Sequence, residues 1–179
     1  MVTPMAAGIT IFTIGHSTRA IEEFISILKA FNIKLVADVR TIPKSRYNPQ
    51  FNGDVLTKEL KNNGIHYAHM AGLGGLRHPR KDSLNTAWKN MSFRGFADYM
   101  QTEDFKKSLM TLVETAEKRQ TAVMCAEAVP WRCHRSLIGD ALLVRGINVV
   151  NIMSKSTHKD HTLTPWAKVN GTRITYPAE

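Results

Sequence analysis

The stretch CAEAVPWRCHR, residues 125–135, brings two thiols, a carboxylate, an imidazole and two guanidinium groups into eleven positions. An apolar run ends at Cys125 and a helical pattern starts after His134, which puts Cys133 at a helix N-terminus beside His134 and Arg135. The helix dipole and neighbouring cations lower a thiol's pKa and favour the nucleophilic thiolate. Cys133 is therefore the candidate nucleophile. His134 is its neighbouring imidazole, and Glu127 is placed to orient His134, to pair with an arginine or to act as a general base. Asp38, at the end of another apolar run, is a further candidate for proton transfer. So is His16 in TIGHST, because capping a helix does not require an imidazole.

Cations gather around the same motifs. In DVRTIPKSRYNPQF, residues 38–51, Arg40 and Arg46 can grip a phosphate bidentately while Lys44 adds a point charge. Arg40 has an alternative partner in Asp38. Pro43 and Pro49 stiffen this loop, and Ser45 adds a hydroxyl toward an anion. Ser17 and Thr18 follow Gly15 at a strand-to-helix turn, where they either cap the helix or bind an anion. GLGGLRHPRK, residues 72–81, offers glycines for close backbone approach and then Arg77. Trp88, Phe93, Arg94, Phe96 and Tyr99 follow, suiting a basic and aromatic lid that stacks bases. For Trp88 and Phe96, core packing is the favoured reading.

Other chemistries compete for the cysteines. A strand–loop–helix cradle with a cysteine at its base is similar to that of cysteine-dependent phosphatases and rhodaneses. However, six residues separate Cys125 from Arg132 where the phosphatase signature needs five, and the loop has no glycine. Cys125, Cys133 and His134, with His69 or His16, could offer sulfur and nitrogen to zinc. Their spacing is not that of a finger or ribbon, so no metal or other cofactor is the leading expectation and zinc the alternative. A Cys125–Cys133 disulfide is geometrically conceivable but disfavoured in a reducing compartment.

The elements that position these residues can be read from periodicity. Strands are expected at 9–14, 33–39, 65–70, 121–125 and 147–152, with helices between them at 21–31, 54–64, 103–120 and 135–145. Short helical pieces are expected around 83–101, and the tail 154–179 is polar without a clear pattern. Apolar strands alternating with helices imply one three-layer α/β domain, spanning 1–179. A mostly parallel sheet of about five strands would carry helices on both faces. Ligands of such sheets bind beyond the carboxyl ends of the strands. His16, Asp38, Arg40, His69, Cys125 and Glu127 all fall at those ends, whereas the opposite edge carries only ordinary turn residues.

The chain has 179 residues and a formal charge of +9, which attracts phosphates, nucleotides or nucleic acid. No apolar window is long enough to cross a membrane, and the first ten residues lack the blocks of a signal peptide. Two cysteines do not make a secreted disulfide scaffold, so a cytoplasmic location is expected.

In order along the chain, TIGHST, DVRTIPKSR, LGGLR, FADYM, CAEAVPWRCHR and INVVNI resemble the DUF488 family of small bacterial and archaeal proteins. The resemblance covers roughly residues 9–153. It implies signature positions at Gly15, His16, Ser17, Asp38, Arg40, Pro43, Ser45, Arg46, Gly74, Gly75, Arg77, Cys125, Glu127, Cys133, His134 and Arg135. It implies no reaction. Three functions follow from the residues. The favoured one is an enzyme acting on a phosphate-bearing, nucleotide or nucleic-acid substrate, with Arg40, Arg46, Arg77 and Arg135 binding anionic oxygens. The second is a nucleic-acid-binding module without catalysis, and the third a zinc-stabilised regulatory protein. The clustered thiols and acids favour the enzyme, because a pure binder has no need of them.

Overall fold

The computed structural model describes residues 8–179. Most of the segment read for a signal peptide therefore lies outside the described residues. Five parallel strands form the body of one sheet: β1 (Thr10–Gly15), β2 (Leu35–Asp38), β3 (His66–His69), β4 (Thr121–Cys125) and β5 (Asn148–Ile152). Five α-helices, α1 (Ile21–Ala30), α2 (Gly53–Asn62), α3 (Met91–Tyr99), α4 (Glu103–Lys118) and α5 (Arg135–Leu143), connect them. The chain is thus α/β, with a mostly parallel sheet, as the alternation of patterns predicts.

The tail departs from expectation. Residues 154–179 carry β6 (His158–Asp160), which adds to β5 in antiparallel sense, and the hairpin of β7 (Lys168–Asn170) and β8 (Arg173–Thr175). Each of these strands has three residues, too short for an alternating pattern to register. Just after β8, Tyr176 is fully buried, its hydroxyl donating to Asp140 of α5 at 2.8 Å. In the 83–101 segment only α3 is an α-helix, started by the Asn90 side chain, which accepts the amides of Ser92 and Phe93.

The strands alternate faces, and each face has its own apolar layer. Val36, Ala122 and Met124 point toward α1 and α2, meeting Phe24, Leu28, Leu56 and Leu60. Leu35, Ala37, Val123 and Cys125 point the other way, toward Phe105, Leu109, Leu137 and Ile138 of α4 and α5. The sheet order is β3-β2-β4-β1-β5-β6. Adjacent strands β1 and β4 therefore send their following helices to opposite faces, which opens a crevice at their carboxyl ends. Gly15 and Cys125 face each other in register at that crevice.

Candidate active site at the carboxyl edge of the sheet

The turn after β1 and the loop after β4 are pressed together. His16 and Ser17 donate their amides to the carbonyls of Cys125 and Ala126, both at 2.9 Å. Gly15 makes this possible, since a Cβ there would lie 1.7 Å from the Glu127 carbonyl oxygen. The loop then runs through a single 3-10 turn, Pro130–Arg132, and reaches Cys133 just ahead of α5.

Arg135 lies beneath the loop, 1% exposed. Its Nε donates to Cys125 Sγ at 3.0 Å, one terminal nitrogen to Thr13 Oγ1 at 3.1 Å, and the other to the Glu127 carbonyl at 2.8 Å. Among the described residues, no carboxylate receives it. Its backbone amide, at the start of α5, donates to Cys133 Sγ at 3.4 Å. Burial pushes the Cys133 thiol up, but a hydrogen bond from Cys125, the Arg135 charge and the Arg135 amide outweigh it and bring it down to about 7. Cys125 moves the opposite way: burial, then its hydrogen bond to Cys133, hold its thiol well above the ordinary range. The two thiols are thus pushed in opposite directions, Cys133 toward ionisation near neutral pH and Cys125 away from it.

His134 completes the pair. Its Nε2 faces two carbonyls, Val39 at 3.1 Å and Leu73 at 3.0 Å, so Nε2 carries the hydrogen and donates to both. Burial lowers its pKa and keeps the ring neutral. Nδ1 is then a free acceptor, 3.5 Å from Cys133 Sγ. The ring fits because residue 75 is glycine: a Cβ there would sit 2.7 Å from Nδ1.

Cys133 and His134 border a cleft of about 430 Å³, whose walls include Arg40, Lys44, Gly75, Glu127 and Arg132. Three cations face it against one carboxylate, and the N-terminal turn of α3 contributes Ser92 and Phe93. Glu127 is exposed, free to meet a ligand.

The other expected site residues are placed differently. Asp38, expected to move protons, is fully buried. Its Oδ1 accepts Nε of Arg40 at 2.9 Å, and its Oδ2 accepts NH2 of Arg40 at 2.7 Å and the Tyr67 hydroxyl at 2.6 Å. It holds Arg40 and has no path to the cleft. His16 is also buried, stacked on Phe51 at 4.3 Å, with Nδ1 donating to the Ser17 carbonyl at 2.8 Å. Burial brings its pKa down to about 4, so Nε2 is an acceptor facing Arg40 at 3.4 Å. It braces Arg40 and does not line the cleft.

Arg46 and Arg77, expected to bind anions, are both outside the cleft lining. Arg46 is exposed and lies 5.7 Å over the Tyr47 ring. Arg77 stacks 3.6 Å over Tyr99 and donates to the Gly74 carbonyl. Ser45 shapes its loop, its hydroxyl accepting the Asn48 amide at 3.1 Å. Ser17 takes a left-handed backbone, φ 51°, and hands its amide to Ala126. His69 bonds the Arg40 carbonyl at 2.8 Å. Among the described residues, no three His, Cys, Asp or Glu side chains are grouped to hold a metal ion. Of the donors named for zinc, Cys125 accepts from Arg135, His134 Nε2 meets two carbonyls, His69 meets the Arg40 carbonyl and His16 the Ser17 carbonyl.

Sequence reading underweighted Arg132 and missed Thr13. Arg132 follows Trp131 in an irregular loop and carries no periodic signal. Thr13 sits in a β-branched run, where a threonine reads as an ordinary strand former.

A cysteine at a helix N-terminus, its pKa lowered to about 7 above a buried arginine and beside a buried histidine, centres a candidate strand–loop–helix site. Residues 20–142 match the family described as Domain of unknown function DUF488, and the chain belongs to that family. The matched stretch contains DVRTIPKSR, LGGLR, FADYM and CAEAVPWRCHR, while TIGHST and INVVNI lie outside it. No curated protein and no solved structure matches the chain.

Proposed function

We propose that the chain is an enzyme that uses Cys133 as a nucleophile on a phosphate-bearing substrate, with the cleft as its binding site. One observation carries this reading: Arg135, a buried cation that no carboxylate receives among the described residues, donates its backbone amide to the Cys133 sulfur at the cleft wall. A purely structural cysteine needs no such arrangement. Lys44 and Arg132 face the cleft and suit anionic oxygens, and the N-terminal turns of α3 and α5 add to the positive potential. Any proton left on Cys133 passes to His134 Nδ1, the acceptor its tautomer leaves free. Glu127, exposed at the rim and lining the cleft, is the candidate general base.

The test has two parts. Inorganic phosphate should slow the reaction of Cys133 with iodoacetamide, and Lys44→Gln with Arg132→Gln should abolish that protection. Turnover in a panel of nucleotides and phosphomonoesters should vanish in Cys133→Ser and fall steeply in Glu127→Gln, with circular dichroism unchanged. Unprotected Cys133, or turnover that survives Cys133→Ser, overturns the proposal.

A further inference from the structure

Cys125 has no part in the nucleophilic reading above, yet it is tied to the same centre. Arg135 binds both sulfurs, Cys125 through Nε at 3.0 Å and Cys133 through its backbone amide at 3.4 Å. Both cysteines are free, and one arginine spans the two sulfurs. Both line the cleft and both are buried, but their neighbours differ. Cys133 meets the Arg135 amide at the start of α5 and the His134 ring, whereas Cys125 closes β4. A thiol buried against a reactive thiolate is placed to resolve what that thiolate forms with an oxidant.

We infer that Cys133 and Cys125 form a peroxide-reactive dithiol, in which Cys133 is the oxidised sulfur and Cys125 the resolving one. Hydrogen peroxide is small enough to enter the cleft and reach Cys133 Sγ. The thiolate sulfur attacks one peroxide oxygen: an S–O bond forms, the O–O bond breaks, and hydroxide leaves with the electron pair. Cys133 is then a sulfenic acid, its sulfur oxidised by two electrons. The sulfur of Cys125 attacks that sulfenic sulfur as its own proton passes to the departing oxygen. An S–S bond forms, the S–O bond breaks, and water is released. A dithiol reductant restores both thiols by exchange.

The inference rests on Cys133 being the nucleophile proposed above, but its readout is independent of any substrate. The folded full-length chain is treated with a small excess of hydrogen peroxide, quenched with iodoacetamide, digested without reductant and analysed by mass spectrometry. A peptide pair joined through Cys125 and Cys133, with the intact mass lower by two hydrogens, is the expected result, and dithiothreitol should reverse it. Cys125→Ser should accumulate a dimedone-reactive sulfenic acid at Cys133 instead, and Cys133→Ser should leave Cys125 unoxidised. Sulfenic or sulfinic acid at Cys133 in the unaltered chain without a disulfide refutes the resolving role. Two unreacted thiols refute the inference altogether. In either case phosphate protection of Cys133 still reports separately on the proposed enzyme.

Discussion

Arg40 and Arg135 leave the carboxyl ends of neighbouring strands β2 and β4, and both are buried, yet they are balanced in opposite ways. Arg40 meets Asp38 through two nitrogens, donates to the Phe51 carbonyl at 2.7 Å, and has Tyr67 and His16 bracing the pair. Arg135 meets a threonine hydroxyl, a carbonyl and two sulfurs. The first cation is paired with a carboxylate. The second draws its counter-charge from a thiol, which must give up a proton to supply it. The Arg40 cluster is scaffold; the Arg135 cluster stores a reactive group.

Breaking the first pair should cost most. Asp38→Ala leaves Arg40 buried and uncompensated, and should lower stability to urea by about 3–5 kcal/mol. Arg135→Met removes a cation without stranding a carboxylate, so its loss should be smaller, about 1–3 kcal/mol, chiefly from the Glu127 carbonyl left without this donor, since Thr13 keeps its bond to Asn151. Its larger effect should be chemical: iodoacetamide labelling of Cys133 at pH 7 should fall by about tenfold or more as the thiol returns toward its ordinary pKa. Equal stability losses with unchanged labelling would erase the contrast. Tyr67→Phe, which removes one donor to Asp38 and leaves the ion pair, should cost about 1.5 kcal/mol and leave labelling untouched.

The smallest change is a titration. Labelling of Cys133 should rise with a midpoint near pH 7, against the ordinary thiol value of 9.0. Because the folded value is the lower one, the thiolate's contribution to stability is complete above pH 9.0 and is lost as pH falls through about 7. Cys133→Ser should therefore cost more at pH 9 than at pH 6, read from urea midpoints.

Strand and helix order was legible in the sequence because buried parallel strands are continuous apolar runs between amphipathic helices. The edge carrying the candidate site was legible too, since Cys125 ends a strand and Glu127, Arg40 and His16 follow strands. What residue type could not convey was direction. Asp38 and Cys125 both end strands, but alternation turns Asp38 toward Tyr67 and Arg40 and turns Cys125 toward α5. Arg46 and Arg77 have the composition of anion binders, and only tertiary geometry shows them lying over Tyr47 and Tyr99. The tail escaped because its short strands are held through single residues such as Tyr176.

That Tyr176 contact bears on the order in which a growing chain is completed. Translation delivers α5, and with it Arg135, well before Tyr176. Until then Asp140, fully buried in the finished fold, lacks the tail groups that surround it: His161 at 2.9 Å, the Thr164 amide at 3.1 Å and the Tyr176 hydroxyl. The helix that follows Cys133 is thus clamped by residues synthesised well after it, and Cys133 acquires its final setting only once they have emerged.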